Sequence, residues 1–413
     1  MRGIVWLVLL FTVAVVAATT LGSNDGIVSV YWSGWRTDVS LNFFVIMLIM
    51  ACVLLGAVAR TLAALTSLPR RASAWRALRK ERAAQAALRE ALAEHFSARY
   101  GRSSKAAERA LAIQADTAEL QGDAEFTLLA QLLAAANLHR MQDRKGRDAL
   151  LAQARSRGRN SVNRADDGVH LLAAEWALDD RDPQRALAHL AELPAGVSRR
   201  TQALRLKLQA ARLSREPLTA LHTAHLLANH GAFTGLAAQG LLRALASDAI
   251  DNTHDMQQLR RVWEQLESSD KRDAFVAARA AQRAATLNEH EEARLWLRPF
   301  WDRLVDHGPD GREQLAMALI SACPGIGNDW LPRLEAAANS FANESAVLAA
   351  VGHAFMERQL WGKAKRLLEQ AAQSPTLAAK ERRGAWRQLA LLARAQGDDA
   401  RERDCQRAAA GTE

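Results

Sequence analysis

The chain has 413 residues, 49% of them hydrophobic and 24% charged, with a formal net charge of +9. That composition supports a full hydrophobic core and excludes a disordered or collagen-like chain. Its three cysteines, Cys52, Cys323 and Cys405, are far apart and form no C-x-x-C pair, which excludes a disulfide framework and a zinc ribbon.

In chain order, the first element is a charge-free apolar run between Arg2 and Asp25, and the second is another between Asp38 and Arg60. Each is about 20 residues, enough as helix to cross the ~30 Å hydrocarbon core of a bilayer. The sequence therefore predicts a two-span membrane anchor over 1–66, with a short outer loop over 22–38. An alternative reading makes the first run a cleaved signal peptide, with Arg2, an apolar core and Val16-Ala17-Ala18 as its three regions. Ile27–Trp32 is β-branched and aromatic, and Ser33-Gly34 follows it, so a small hairpin is expected there. Tyr31, Trp32 and Trp35 are expected at the outer headgroup level.

After the second run come Arg60, Arg70, Arg71, Arg76, Arg79, Lys80 and Arg82, opposed only by Glu81. Basic residues stay on the cytoplasmic side, so the large C-terminal part is expected in the cytoplasm. The same stretch supplies six of the nine net charges, and the remainder of the domain is nearly balanced. The charge thus calls for the lipid bilayer as partner and not for nucleic acid. The polar insert Arg155–Asn160 has no aromatic residue on which bases would stack. Pro69 is expected to break the chain within a basic linker over 67–73.

From residue 74 to 413 the chain is rich in Ala, Leu, Arg, Glu and Gln, which favour helix. Trp75, Leu78, Leu88, Leu92 and Phe96 share one helical face. Asp182-Pro183 and Glu216-Pro217 read as helix starts, and Ser374-Pro375 as a helix end. The fold class is all-α: short paired antiparallel helices that must stack on one another to bury their apolar faces. The tetratricopeptide pattern fits best at Leu348-x-x-Val351-Gly352-x-x-Phe355, continuing to Ala364, Leu368 and Ala371. In it Gly352 and Ala364 are small where two helices cross, and Phe355 and Leu368 fill the space between them. Trp386, Leu389 and Ala390 open a further repeat, and Ala173, Ala174, Ala177, Ala186, Leu190 and Leu193 form an earlier one. A generic helical bundle is the competing architecture.

The layout resembles the proteobacterial HemY family: two N-terminal spans, an outer loop Gly26-Ile27-Val28-x-Val30-x-Trp32, then a tetratricopeptide domain. The resemblance also rests on Asp329–Glu335, Trp361–Glu369, Trp386–Ala390 and Gln396-Gly397-Asp398. It implies an inner-membrane protein associated with haem biosynthesis, non-catalytic, with late haem-synthesis enzymes as partners. A flavin-dependent oxidase is not indicated: Gly325-Ile326-Gly327 follows a Cys-Pro turn and lacks the third glycine of a dinucleotide fingerprint. No catalytic motif is present and no cofactor is required.

The first helix of each tetratricopeptide pair lines the concave groove, which makes Glu175, Leu178, His353, Met356, Arg387 and Arg394 the expected partner-binding residues. Arg387 and Arg394 would meet carboxylates on a partner. A haem or porphyrin carrier is an alternative function, with His222 and His225 on one helix face, or Cys323 of a Cys-Pro pair resembling the haem-regulatory motif, as iron ligands. An envelope-assembly scaffold unrelated to haem is another.

Overall fold

The computed structural model describes residues 26–117, 120–158 and 164–412. The first apolar run, with its signal-peptide alternative, and part of the Arg155–Asn160 insert lie outside them. The chain divides into two units at residue 157.

The first unit opens with the expected hairpin. Strands β1 (Ile27–Trp32) and β2 (Trp35–Ser40) pair antiparallel, from Ile27 opposite Ser40 to Trp32 opposite Trp35. Ser33 and Gly34 have φ of 45° and 88°. Two successive positive φ values give the tight turn whose twist matches that of the strands. Ser40 then caps helix α1 (Leu41–Phe96), its hydroxyl accepting the Phe43 N–H at 3.4 Å.

The first 22 residues of α1, Leu41–Leu62, are long and apolar enough to cross a membrane, and their apolar window is not buried among the described residues. At 1.5 Å per residue they span about 33 Å. The expected break at Pro69 is absent: the 56-residue helix runs through it. One missing N–H is tolerated where every neighbouring backbone bond is kept.

Further along α1 the packing face also differs from the expected one. Trp75, Leu78, Leu92 and Phe96 are exposed, at 61, 44, 41 and 84%. The buried residues are Ala84, Ala87 and Ala91, facing α2 (Tyr100–Ala115), whose Ala106, Ala107 and Ala110 are likewise buried. Alanines let two helix backbones approach closely, whereas the larger side chains would hold them apart. Polar side chains seal this contact. Ser103 donates to the Ala91 carbonyl at 2.6 Å, and Asn137, on α3 (Ala124–Arg140), donates to Ser103 at 2.7 Å. Helix α4 (Arg144–Gly158) closes the unit.

The second unit is all-helical, consistent with an α-solenoid. It contains α5 (Arg164–Asp179), α6 (Pro183–Ala191), α7 (Ala195–Ser198), α8 (Thr201–Leu213), α9 (Pro217–Asn229), α10 (Gly235–Asp251), α11 (Met256–Gln265) and α12 (Ser268–Lys271). Then follow α13 (Ala274–Thr286), α14 (His290–Trp301), α15 (Pro309–Ala322), α16 (Leu331–Ser340), α17 (Ser345–Glu357), α18 (Trp361–Gln373), α19 (Ala379–Ala395) and α20 (Asp399–Ala410).

One turn recurs in both units. Three residues join the two helices of a hairpin, and the middle one is left-handed: Ala98, Gln142, Arg181, Arg215, Asn288, Gln359 and Gly397, with φ between 56° and 70°. The next N–H bonds the carbonyl five residues back, as in Asp182 to Ala177 (2.8 Å), Glu216 to Ala211 (2.9 Å) and Asp398 to Ala393 (3.0 Å). This closure satisfies carbonyls that a helix end leaves bare. The same residue often caps the next helix: Asp182 and Asp398 each accept the N–H three residues on, at 3.0 Å.

Successive hairpins stack through their first helices, α10 on α13 on α15 on α17 on α19. Ion pairs repeat the offset: Arg279 with Asp251, Arg260 with Glu292, Arg312 with Glu344, Lys363 with Glu335 and Arg401 with Glu369 are each 28–32 residues apart. Most are exposed and contribute roughly 0–1 kcal/mol each. What they record is register between neighbouring repeats.

At the best-fitting repeat, Gly352, Phe355, Ala364, Leu368 and Ala371 are all buried. A Cβ on Gly352 would lie 2.7 Å from Cγ of Leu368, so only glycine admits α18 at that distance. Leu389 and Ala390 are buried on α19, and Trp386 is half-buried beside them.

Candidate partner-binding groove

Because the first helices stack side by side, their free faces line one continuous depression. The cavity there measures about 710 Å³, with walls from α10, α13, α15, α17 and α19. Met317 and Ile320 of α15 supply its apolar floor, beside His353 of α17.

The two ends of this groove differ electrostatically. At one end the arginines are engaged. Arg279 makes two bonds to the Asp251 carboxylate, at 2.7 and 2.6 Å, which raise its pKa above the ordinary arginine value. Arg283 donates to the Thr253 carbonyl. At the other end Lys380 and Arg387 of α19 line the groove with no ion pair among the described residues. Glu313 and Glu381 add two carboxylates. His353 lies between, and burial pushes its pKa down to about 4, so the ring is neutral at pH 7. Gly384 of α19 sits over it, 3.9 Å from Nε2 when a Cβ is built. A partner segment here would meet a neutral floor and two cations free to pair.

Of the residues expected to bind a partner, His353 and Arg387 line this groove. Arg394 is exposed two turns further along α19, and Met356 is half-buried against the core; neither is among the groove walls. Glu175 is exposed on α5. Leu178 is a correction: it is only 5% exposed, in a core cluster with Leu206 and Ala210 of α8, and offers no surface. Sequence reasoning missed Arg283, Met317, Lys380 and Gly384. Their signal is the three- and four-residue spacing on one helix face, Arg279/Arg283 and Lys380/Gly384/Arg387, in helices about a hundred residues apart.

The iron-ligand candidates are also corrected. His222 is exposed, but His225 is buried with both nitrogens facing carboxylates. Its Nε2 is 2.8 Å from Asp270 and its Nδ1 3.5 Å from Glu267. That ring ties α9 to α12, and both of its nitrogens are turned to those carboxylates. Cys323 is buried at the end of α15, and desolvation pushes its thiol far above the ordinary range, so no thiolate forms there at neutral pH. Arg294 holds the loop after it, donating to the carbonyls of Ala322 (2.7 Å) and Pro324 (2.6 Å). Among the described residues no group of three His, Cys, Asp or Glu is placed to hold a metal.

Fold and groove together define a helical-hairpin array joined to an apolar helix of membrane-crossing length. Residues 26–142, from the hairpin to the turn after α3, match the family described as HemY protein N-terminus. No curated protein matches the chain.

Proposed function

We propose that this protein is a non-catalytic scaffold of the bacterial inner membrane that holds partner proteins of late haem synthesis in the groove over α13–α19. The reading is supported most by one observation: among the described residues Lys380 and Arg387 have no ion pair beside an apolar floor, while at the other end of the same groove Arg279 is held by the Asp251 carboxylate and Arg283 by the Thr253 carbonyl. The tetratricopeptide assignment rests on the hairpin stacking and on the close approach at Gly352. Two spans and a cytoplasmic groove follow from the charge-free runs and from the basic residues Arg60, Arg76, Arg79, Lys80 and Arg82. Haem synthesis is the pathway implied by the match of residues 26–142 to the HemY N-terminal family. Confining partners to one membrane surface raises their encounter rate without chemistry by the scaffold.

The test is affinity capture of the full-length protein from cross-linked membranes, with and without Lys380→Glu and Arg387→Glu, and porphyrin measurement in a deletion strain. Expected are porphyrin-processing enzymes lost on charge reversal, with porphyrin intermediates accumulating in the deletion. Capture of envelope-assembly proteins alone, with normal porphyrins, would refute the haem assignment.

A further inference from the structure

Strand pairing gives the hairpin at residues 27–40 two unlike faces. Residues opposite one another share a face, and successive residues alternate. One face therefore carries Val28 with Val39, Val30 with Thr37, and Trp32 with Trp35, without a single charge. The other carries Ile27 with Ser40 at the root, then Ser29 with Asp38 and Tyr31 with Arg36. This second face is knitted by its own polar groups: Arg36 Nε is 3.0 Å from the Asp38 carboxylate, Ser29 donates to the same carboxylate, and the Arg36 guanidinium lies 5.9 Å from the Tyr31 ring centroid. Among the described residues the apolar face has no partner at its tip, where Trp32 and Trp35 are each 80% exposed.

The hairpin is continuous with the apolar helix. Leu41, the first residue of the 22-residue segment, bonds the Gly26 carbonyl at 2.9 Å, which closes the root of the hairpin on the helix start. The ribbon thus leaves α1 at the level where a bilayer's hydrocarbon would end. We infer that this hairpin lies flat in the lipid headgroup layer, with Val28, Val30, Trp32, Trp35 and Val39 turned to the acyl chains and Ser29, Tyr31, Arg36 and Asp38 turned to water. Indole suits that depth, since its ring is apolar and its N–H still reaches a headgroup oxygen. Tyr31 is thereby separated from the two tryptophans beside it in sequence. The ribbon acts as a foot that fixes the depth and tilt of the helix.

The inference rests on reading Leu41–Leu62 as a membrane span, and spin labelling of the full-length chain in phosphatidylcholine/phosphatidylglycerol vesicles tests both separately. Cys323 and Cys405 are 4% and 2% exposed and leave Cys52 as the accessible thiol. Label at Cys52 reports the span. Label at Val30→Cys or Tyr31→Cys, each combined with Cys52→Ser, reports the two hairpin faces. Expected are collisions with oxygen over a nickel chelate at positions 52 and 30, and the reverse at position 31. Water access at both 30 and 31, with 52 in lipid, overturns the foot and leaves the span. Position 30 shielded from both reagents means that protein covers the face, and this also overturns it. Water access at 52 removes the span and the foot together.

Discussion

Two helices among the described residues are strongly apolar, and they lie in different surroundings. Among the described residues the apolar window of Leu41–Leu62 is not buried, whereas ten of the thirteen residues of α17 are. Apolarity says that a helix must leave water; length and side-chain size say what it enters. The first segment is long and bulky all round, with Phe43, Phe44, Val45, Ile46, Met47 and Leu48 in succession. Helix α17 is about 20 Å long and carries Ala349, Ala350, Gly352 and Ala354, over which α15, α18 and α19 close.

Truncation sharpens the contrast most. Phe355→Ala removes a ring that is 2% exposed and wedged between hairpins. It is expected to lower stability by about 3–5 kcal/mol in urea unfolding of the micelle-bound protein. Leu55→Ala, in the apolar segment, is expected to stay within about 0.5 kcal/mol in the same experiment, because no protein contact is lost. Equal losses would show that the segment packs on protein after all.

A charge in either helix should be nearly as disruptive. Val53→Asp lies near the middle of Leu41–Leu62. It is expected to disfavour insertion by about 2.5–3.5 kcal/mol and to shift the protein out of carbonate-washed membranes. In α17 the charge comes from protonation. Burial holds His353 at about 4, below the ordinary histidine value of 6.5, so the unfolded chain takes up this proton first as pH falls. Stability from this group is complete above pH 6.5 and declines down to pH 4, by at most about 3 kcal/mol. Replacing it, as His353→Gln, should flatten the stability profile between those two pH values. An unchanged profile would mean that the ring is solvated in the groove.

How much of this was legible in the sequence differs by region. The hairpin, the Asp182-Pro183 and Glu216-Pro217 helix starts and the crossing at Gly352 were readable because each is local, set within one turn or one pair of consecutive elements. The face of α1 that packs was not: large residues outweigh alanines in any periodicity reading, yet Ala84, Ala87 and Ala91 make the contact. Leu178 shows the limit of carrying a repeat position across the array. Its counterpart Met356 is half-buried, whereas Leu178 is covered in a cluster with Leu206 and Ala210 of α8. The groove draws on residues from Asp251 to Arg387, brought together only by stacking.

The repeat itself was hidden by its turns. Seven hairpin turns among the described residues share a left-handed middle residue, yet only one of them is glycine, Gly397. A turn scan that looks for glycine finds that one and passes Ala98, Gln142, Arg181, Arg215, Asn288 and Gln359. The smallest predicted effect follows from this inequality. A Cβ at Gly397 would meet nothing within 4 Å, so Gly397→Ala changes only the backbone preference and is expected to lower stability by about 1 kcal/mol. The converse, Arg215→Gly, relieves the same strain at φ 57°. It also loosens the unfolded chain, so its gain should be smaller than the loss at Gly397, a few tenths of a kcal/mol. Thermal unfolding of the two variants measures the pair. A loss at 397 without any gain at 215 would show that Arg215 is held there by its Schellman closure, Glu216 to Ala211, strongly enough to make residue type irrelevant.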